Sequence, residues 1–234
     1  LTFGAFYRSN ASGEPDGLVS IKSEAELAVG PIAGALYYRQ GTYHGDRSGP
    51  IPAAFPKGYQ AFYVMKYELT QGQYAAFLNT LSDAASYERV NFGGRSYAQK
   101  RGTLRLENNR YNAASPQRPM NFMSWDDGLA FADWAALRPL TELEFTKACR
   151  GPEQPQPGEF PWGTASRDQL ARVVDTNDEL GMTNGWSEAQ LTEQTRPVFG
   201  ASYYWVMDLA GSVWERVITV GSPAGRAFKG SPGD

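Results

Sequence analysis

The 234 residues contain one cysteine, Cys149, and one histidine, His44. A single thiol excludes an internal disulfide framework and a cysteine-rich zinc site, and a single imidazole excludes a centre built from several histidines. A metal held by these residues must therefore rest on oxygen ligands. Charge of one sign is also scarce: 22 Lys and Arg stand against 25 Asp and Glu, a formal net charge of −3 with no basic block. The electrostatic footprint of a nucleic-acid binder is missing. The longest uncharged, mainly apolar run, residues 27–38, is interrupted by Gly30, Pro31 and Gly34. It falls well short of the roughly 20 residues that cross a bilayer, so no membrane span is expected.

What remains is an ordinary globular composition, 41% hydrophobic and 20% charged, sufficient for a sizeable core. Aromatics reach 13%, with 6 Trp and 13 Tyr, beside 25 Gly and 15 Pro. Much of the chain should thus be turns and loops pinned by large rings. The sequence opens on Leu1 and stops in a turn-like Gly-Ser-Pro-Gly-Asp, so both ends read as cut. A processed signal peptide would account for the start, and an extracellular or cell-envelope location is the expectation.

Residues 1–59 read as an irregular N-terminal arm or lobe packed on a main domain, with one strand near residues 18–21 and Gly/Pro punctuation from 41 to 58. His44, in a polar loop, receives no role. Residues 62–69 (FYVMKYEL) are apolar on both faces and predict a core strand. Three helices are announced by their first turns. Thr70 to Gln73 pairs an N-cap hydroxyl with an N3 amide ahead of Tyr74, Phe77, Leu78 and Leu81. Ser124 precedes Trp125, Asp126 and Asp127, with acids at the positive end of the helix dipole. Thr141 and Glu144 form a capping box for a helix that stops at Gly151 before Pro152. Cys149 falls in that helix's last turn, where it reads as a small buried hydrophobe with no histidine to activate it. Residues 82–118 read as a polar surface excursion with a hairpin and the pair Asn108-Asn109.

Six strings then stand in a familiar order: FYVMKYELTQGQY (62–74), RPMNFMSWDD (118–127), LRPLTELE (137–144), KACRG (147–151), FPWG (160–163) and MDLAGSVWE (207–215). Together they resemble the formylglycine-generating enzyme (sulfatase-modifying factor) family from about residue 58 to the end. The resemblance implies an α+β domain with a C-type-lectin-like fold, loop-rich, with short strands and about three capped helices. The main domain is set at residues 60–234 and is expected to be C-terminally incomplete.

Fold alone does not decide activity. The resembling enzymes oxidise a substrate cysteine with oxygen and copper held by two thiolates, in a segment matched here by FKGSPGD (228–234). Aligned without a gap, Asp234 stands where the first thiolate would be, and a hard carboxylate is a poor substitute for a soft sulfur ligand. The related sulfoxide synthases of the ergothioneine type use an iron held by histidines, which one His44 cannot provide. Neither copper nor iron is expected. The reading is a non-catalytic, exported binding or structural module for adhesion, surface assembly or ligand display. Its partners would be a protein or glycan ligand or neighbouring subunits, not nucleic acid. The alternative is a copper-dependent oxidase of sulfatase-type cysteines whose second thiolate lies beyond Asp234.

One family feature survives in these residues. The segment corresponding to Asp208 through Glu215 wraps a structural Ca²⁺ in the resembling enzymes. The resemblance therefore implies Asp208 and Glu215 as side-chain ligands, with Gly211 and Val213 offering carbonyls, all hard oxygens of the kind calcium prefers. A second family calcium site would fall near Asp175, Asn177, Asp178 and Asn184, which do not align, and it is left unassigned. Trp125, Trp134, Trp162 and Trp214 occupy motif positions that the resemblance implies are core.

Overall fold

Hydroxyl residues set the helix starts. In the computed structural model, which describes residues 5–38, 45–90, 97, 100–174, 180–182 and 187–231, α1 (Gln71–Leu78) begins at a complete capping box. Thr70 Oγ1 accepts the Gln73 N–H at 3.2 Å, and Gln73 Oε1 accepts the Thr70 N–H at 2.9 Å. The same reciprocal pair opens α3 (Trp125–Trp134) through Ser124 and Asp127, and α4 (Glu142–Arg150) through Thr141 and Glu144. Each cap is worth about 1 kcal/mol. α4 stops at Gly151, whose φ of 61° leaves the right-handed region; a Cβ there would also run into the ring of Tyr203.

Short strands join only in pairs. β1 (Tyr7–Ser9) and β2 (Pro15–Leu18) form a hairpin, and β3 (Leu27–Val29) pairs antiparallel with β4 (Gly49–Ile51). Leu36 bridges to both Arg8 and Val29, knitting these pairs together. Where one strand near residues 18–21 is expected, the described residues of 1–59 hold four strands, with the nearest ending at Leu18. In the 82–118 excursion α2 (Asp83–Glu88) is followed by the expected hairpin, β5 (Leu104–Glu107) and β6 (Arg110–Ala113). Its turn residues Asn108 and Asn109 both have positive φ, 51° and 58°, the conformation that matches strand twist in a two-residue hairpin turn. β7 (Arg172–Val174), β8 (Leu180–Met182), α5 (Arg196–Phe199) and α6 (Pro223–Arg226) complete the order. The architecture is α+β, with short strands, six helices and no closed barrel among the described residues. No helix there is long and apolar enough to cross a membrane.

Residues 62–69 do not form the expected core strand. Lys66 O accepts the Met207 N–H at 2.8 Å and Leu69 O accepts the Met120 N–H at 2.6 Å, but no ladder flanks the segment. Tyr63 is 97% exposed while Met65 and Leu69 pack inward. A largely apolar run with rings at residues 62, 63 and 67 cannot reveal that one face lacks a cover.

Two cores result. One gathers Tyr74, Phe77 and Leu78 of α1, Phe131 of α3, and Tyr97, Leu104, Tyr111 and Met120, so the polar excursion contributes rings to the interior. The other joins Val29, Leu36, Ile51 and Phe55 to Leu143, Val220 and Phe228. Each large apolar side chain so buried contributes about 1.5–3 kcal/mol. Residues 27–55 therefore share one core with α4 and the C-terminal stretch.

Polar staples reinforce that second core. Glu142 accepts hydrogen bonds from the Tyr38 hydroxyl at 3.0 Å, the Thr219 hydroxyl at 3.2 Å and the Val220 N–H at 3.0 Å. Arg226 forks onto Asp46 with two bonds of 3.0 Å and donates to Val220 O and Ser48 O. The guanidinium holds the Asp46 carboxyl below its ordinary range. A depressed carboxyl adds stability above its unfolded pKa, near 4, and that contribution vanishes as pH falls through the lower folded value. Asp46→Asn is accordingly expected to flatten the acid limb of the stability profile below about pH 4, measured by urea unfolding at stepped pH; an unchanged acid limb would refute the pairing's role.

Candidate metal-binding loop

Residues 208–217 form a loop fastened at both ends. At its entry the Met207 N–H reaches Lys66 O. At its exit Ile218 donates to Leu140 O at 2.9 Å and accepts the Glu142 N–H at 2.9 Å, a parallel bridge onto the cap of α4. Between these anchors the backbone turns sharply, with positive φ at Asp208 (62°), Gly211 (94°) and Ser212 (58°). Only glycine adopts such angles without strain, so two non-glycine residues held there mark a tightly determined loop. All four residues singled out for calcium, Asp208, Gly211, Val213 and Glu215, lie on it.

A fifth residue comes to the loop from far away in sequence. Glu68 Oε1 accepts the Val213 N–H at 3.3 Å. Its other oxygen, Oε2, is buried with no hydrogen-bond partner. Burial pushes the Glu68 carboxyl up to about 7; the polar Ser212 side chain and the Val213 N–H oppose the rise, and the charges of Asp208 and Glu215 add to it. Glu215 is likewise raised by desolvation and by Asp208. The same Glu215 charge reaches Cys149, where burial first and Glu215 second push the thiol up to about 12.

Three carboxylates thus feel one another around a single loop, and one buried oxygen has no donor. Such an arrangement is costly for a naked anion and is relieved by a cation. The donor set consists of carboxylate and carbonyl oxygens, which suits calcium and excludes soft metals. Among the described residues no three His, Cys, Asp or Glu side chains are placed to share one ion. A cation here would be held by at most two carboxylates together with backbone carbonyls and water, and Glu68 acts by fixing Val213. The residues fit the ion.

Glu68 escaped the sequence reading because Val213 is 145 positions away. Its only local signal is a carboxylate set in the otherwise largely apolar FYVMKYEL run. Other expectations meet different outcomes. Trp162 is buried, donates its ring N–H to Ser166 O at 3.0 Å and stacks on Phe160. Trp125 is half-buried. Trp134 is 45% exposed, though its ring meets Phe77 and Phe131. Trp214 is 95% exposed and is not core: between Gly211 and Arg216 only Val213 is partly buried, and Glu215 is exposed as a residue although its carboxyl end is partly desolvated. Asp234, His44, Asp175, Asn177, Asp178 and Asn184 lie outside the described residues.

Comparison with known proteins assigns the scaffold. The model of the sulfatase-modifying factor enzyme 1-like domain matches residues 24–226. A formylglycine-generating enzyme of Bos taurus is 28% identical over 101 residues, 43% of this chain and 26% of that protein. One of Thermomonospora curvata is 30% identical over 102 residues, again 43% of this chain and 33% of its own length. The chain thus spans about a quarter to a third of the curated relatives it matches. No solved structure matches it. With the domain match covering most of its length, the chain belongs to the sulfatase-modifying factor enzyme 1-like family.

Proposed function

We propose that these residues form a non-catalytic, exported binding or structural module on the formylglycine-generating-enzyme scaffold, its 208–215 loop closed around Ca²⁺. The observation that carries the reading is the state of the chain's one cysteine. Cys149 sits in α4, partly buried, with its thiol pushed up to about 12. At neutral pH it stays a neutral thiol, whereas soft-metal ligation needs the thiolate, and no second thiol exists within these residues. Asp208 and Glu215 side-chain oxygens and the Gly211 and Val213 carbonyls would hold the calcium. The ion supplies positive charge that compensates the converging carboxylates and fixes the loop.

Partner binding is supported by two exposed rings, Trp214 on the loop and Tyr63 in the 62–69 segment. Trp214 and Tyr63 stand almost fully in solvent, 95% and 97% exposed, and Trp and Tyr are residue types enriched at interfaces. A protein or glycan ligand, or neighbouring subunits of a surface assembly, are the partners proposed. Placement outside the cytoplasm is checked by protease accessibility of the native protein on intact cells.

One observation favours a second reading, a copper-dependent oxidase: the similar proteins above are named formylglycine-generating enzymes. Cu(I) titration against a chelating competitor, combined with oxidation of a cysteine peptide, separates the two. The module predicts no site tighter than one isolated thiol and no aldehyde product. Tight Cu(I) binding with peptide turnover would overturn it in favour of the oxidase.

A further inference from the structure

A cavity of about 810 Å³ opens beside the loop, between residues 65–70, the first turn of α1 and residues 116–119. Its cationic wall is assembled by one buried glutamine. Gln71, 1% exposed, donates its side-chain amide to Arg101 O at 3.0 Å and to Pro119 O at 3.2 Å. Its carbonyl accepts from the Thr103 N–H at 2.8 Å and hydroxyl at 2.7 Å. Its own N–H reaches Arg118 O at 2.8 Å. Two arginines from separate segments are thereby brought to the same cavity. Gly72 completes the seat: its N–H bonds Pro116 O at 2.9 Å, and a Cβ there would approach Pro116 Cβ to 2.8 Å. Only glycine lets the 116–119 segment pack this closely on α1.

We propose that this cavity binds the oxyanion group, a carboxylate or a phosphate, of a small organic ligand, with Arg118 as its recognition group. The Arg118 Nε is buried without a hydrogen-bond partner, and no carboxylate pairs with this side chain among the described residues. A guanidinium is a planar fork made for two acceptor oxygens, and Arg118 shares the cavity wall with the cations Lys66 and Arg101 as well as with the acids Glu68 and Asp208, so an unpaired fork there is pre-organised to take its oxygens from a ligand. The volume suits a ligand of metabolite size. Charge sets the orientation. Glu68 and Asp208 line the same cavity as Arg118, with Asp208 next to Met207, which bonds Lys66 O, and Arg118 next to Pro119, which bridges Thr70. The anionic group is therefore directed away from Asp208 and Glu68 and onto Arg118.

Titration calorimetry at low ionic strength with glutarate and with inorganic phosphate tests the site. Saturable binding of either probe, weakened by salt, is expected, and whichever binds identifies the source of the oxyanion. Arg118→Gln should weaken it about tenfold or more, Arg118→Lys should fall between, and the exposed hairpin change Arg110→Gln should leave it unchanged. Independently of any variant, the bound probe should protect Arg118 of the wild-type chain from phenylglyoxal, read by peptide mass mapping. No saturable binding of either probe, or binding that neither depends on Arg118 nor protects it, overturns the proposal. Neither readout involves calcium or copper, so the outcome is independent of the module reading.

Discussion

Glu144→Ala is expected to lose about 3–5 kcal/mol of folding stability, the range for removing one partner of a buried ion pair. Glu144 is 1% exposed. Both its oxygens are engaged by Arg138, at 2.8 and 2.6 Å, and Oε2 also accepts the Thr141 N–H at 3.1 Å. The carboxylate raises the Arg138 pKa above its already high ordinary value. Truncation leaves the Arg138 charge in a half-buried position and removes one of the two bonds of the α4 capping box, since the residue-144 N–H still reaches Thr141 Oγ1. Glu144→Gln keeps an acceptor for the cap, so its loss should be smaller. Arg138→Ala with Glu144→Ala should cost less than the sum of the singles, because the second truncation removes the stranded charge. Urea unfolding should show a lower midpoint at constant m. A change below about 0.5 kcal/mol, the level of an ordinary surface substitution, would show the pair to be ornamental.

The position of this pair explains why it matters beyond stability. The α4 cap that Glu144 completes is also where the chain leaves the 208–217 loop, because the Glu142 N–H bonds Ile218 O and Thr141 bridges Ile218. Thr141 Oγ1 reaches back to Pro56 O at 2.8 Å. One helix start therefore ties together the N-terminal strands, the end of the loop and the second core. Disturbing it should loosen the loop as well as the fold.

This coupling also shows which parts of the protein were legible in sequence. The starts of α1, α3 and α4 were, because a capping box is complete within four residues. The 104–113 hairpin was too, since Asn108 and Asn109 carry the positive-φ requirement themselves. The fold class followed from the order of the motifs. What failed was whatever depends on a distant cover. The FYVMKYEL run cannot reveal that it lacks a flanking ladder, and a tryptophan in a motif cannot reveal that its loop turns it outward. The integration of residues 27–55 rests on contacts such as Tyr38 to Glu142, 104 positions apart. At the candidate site, the four loop residues came only from the family resemblance, while Glu68 and the gathering of Arg101 and Arg118 around Gln71 arise only from tertiary proximity.

Removing calcium is expected to lower the melting temperature of the wild-type protein. At free calcium about 100 times its dissociation constant, linkage contributes about 2.7 kcal/mol, and for a chain of this size each kcal/mol moves the midpoint by about 2–4 °C. Chelation should thus shift the melt by about 5–10 °C. Asp208→Ala should melt near the chelated wild type and show no further response to chelator. Glu68→Gln makes a finer distinction. An amide oxygen can still accept the Val213 N–H and keep the loop's shape, but the negative charge beside the ion is lost, so calcium affinity should fall while the chelated melting temperature changes little. Glu68→Ala removes the acceptor as well and should depress both. Identical wild-type melts with and without chelator, across a range of free calcium, would refute the site. A Glu68→Gln protein with wild-type affinity would show that this carboxylate holds the loop without contributing charge to the ion.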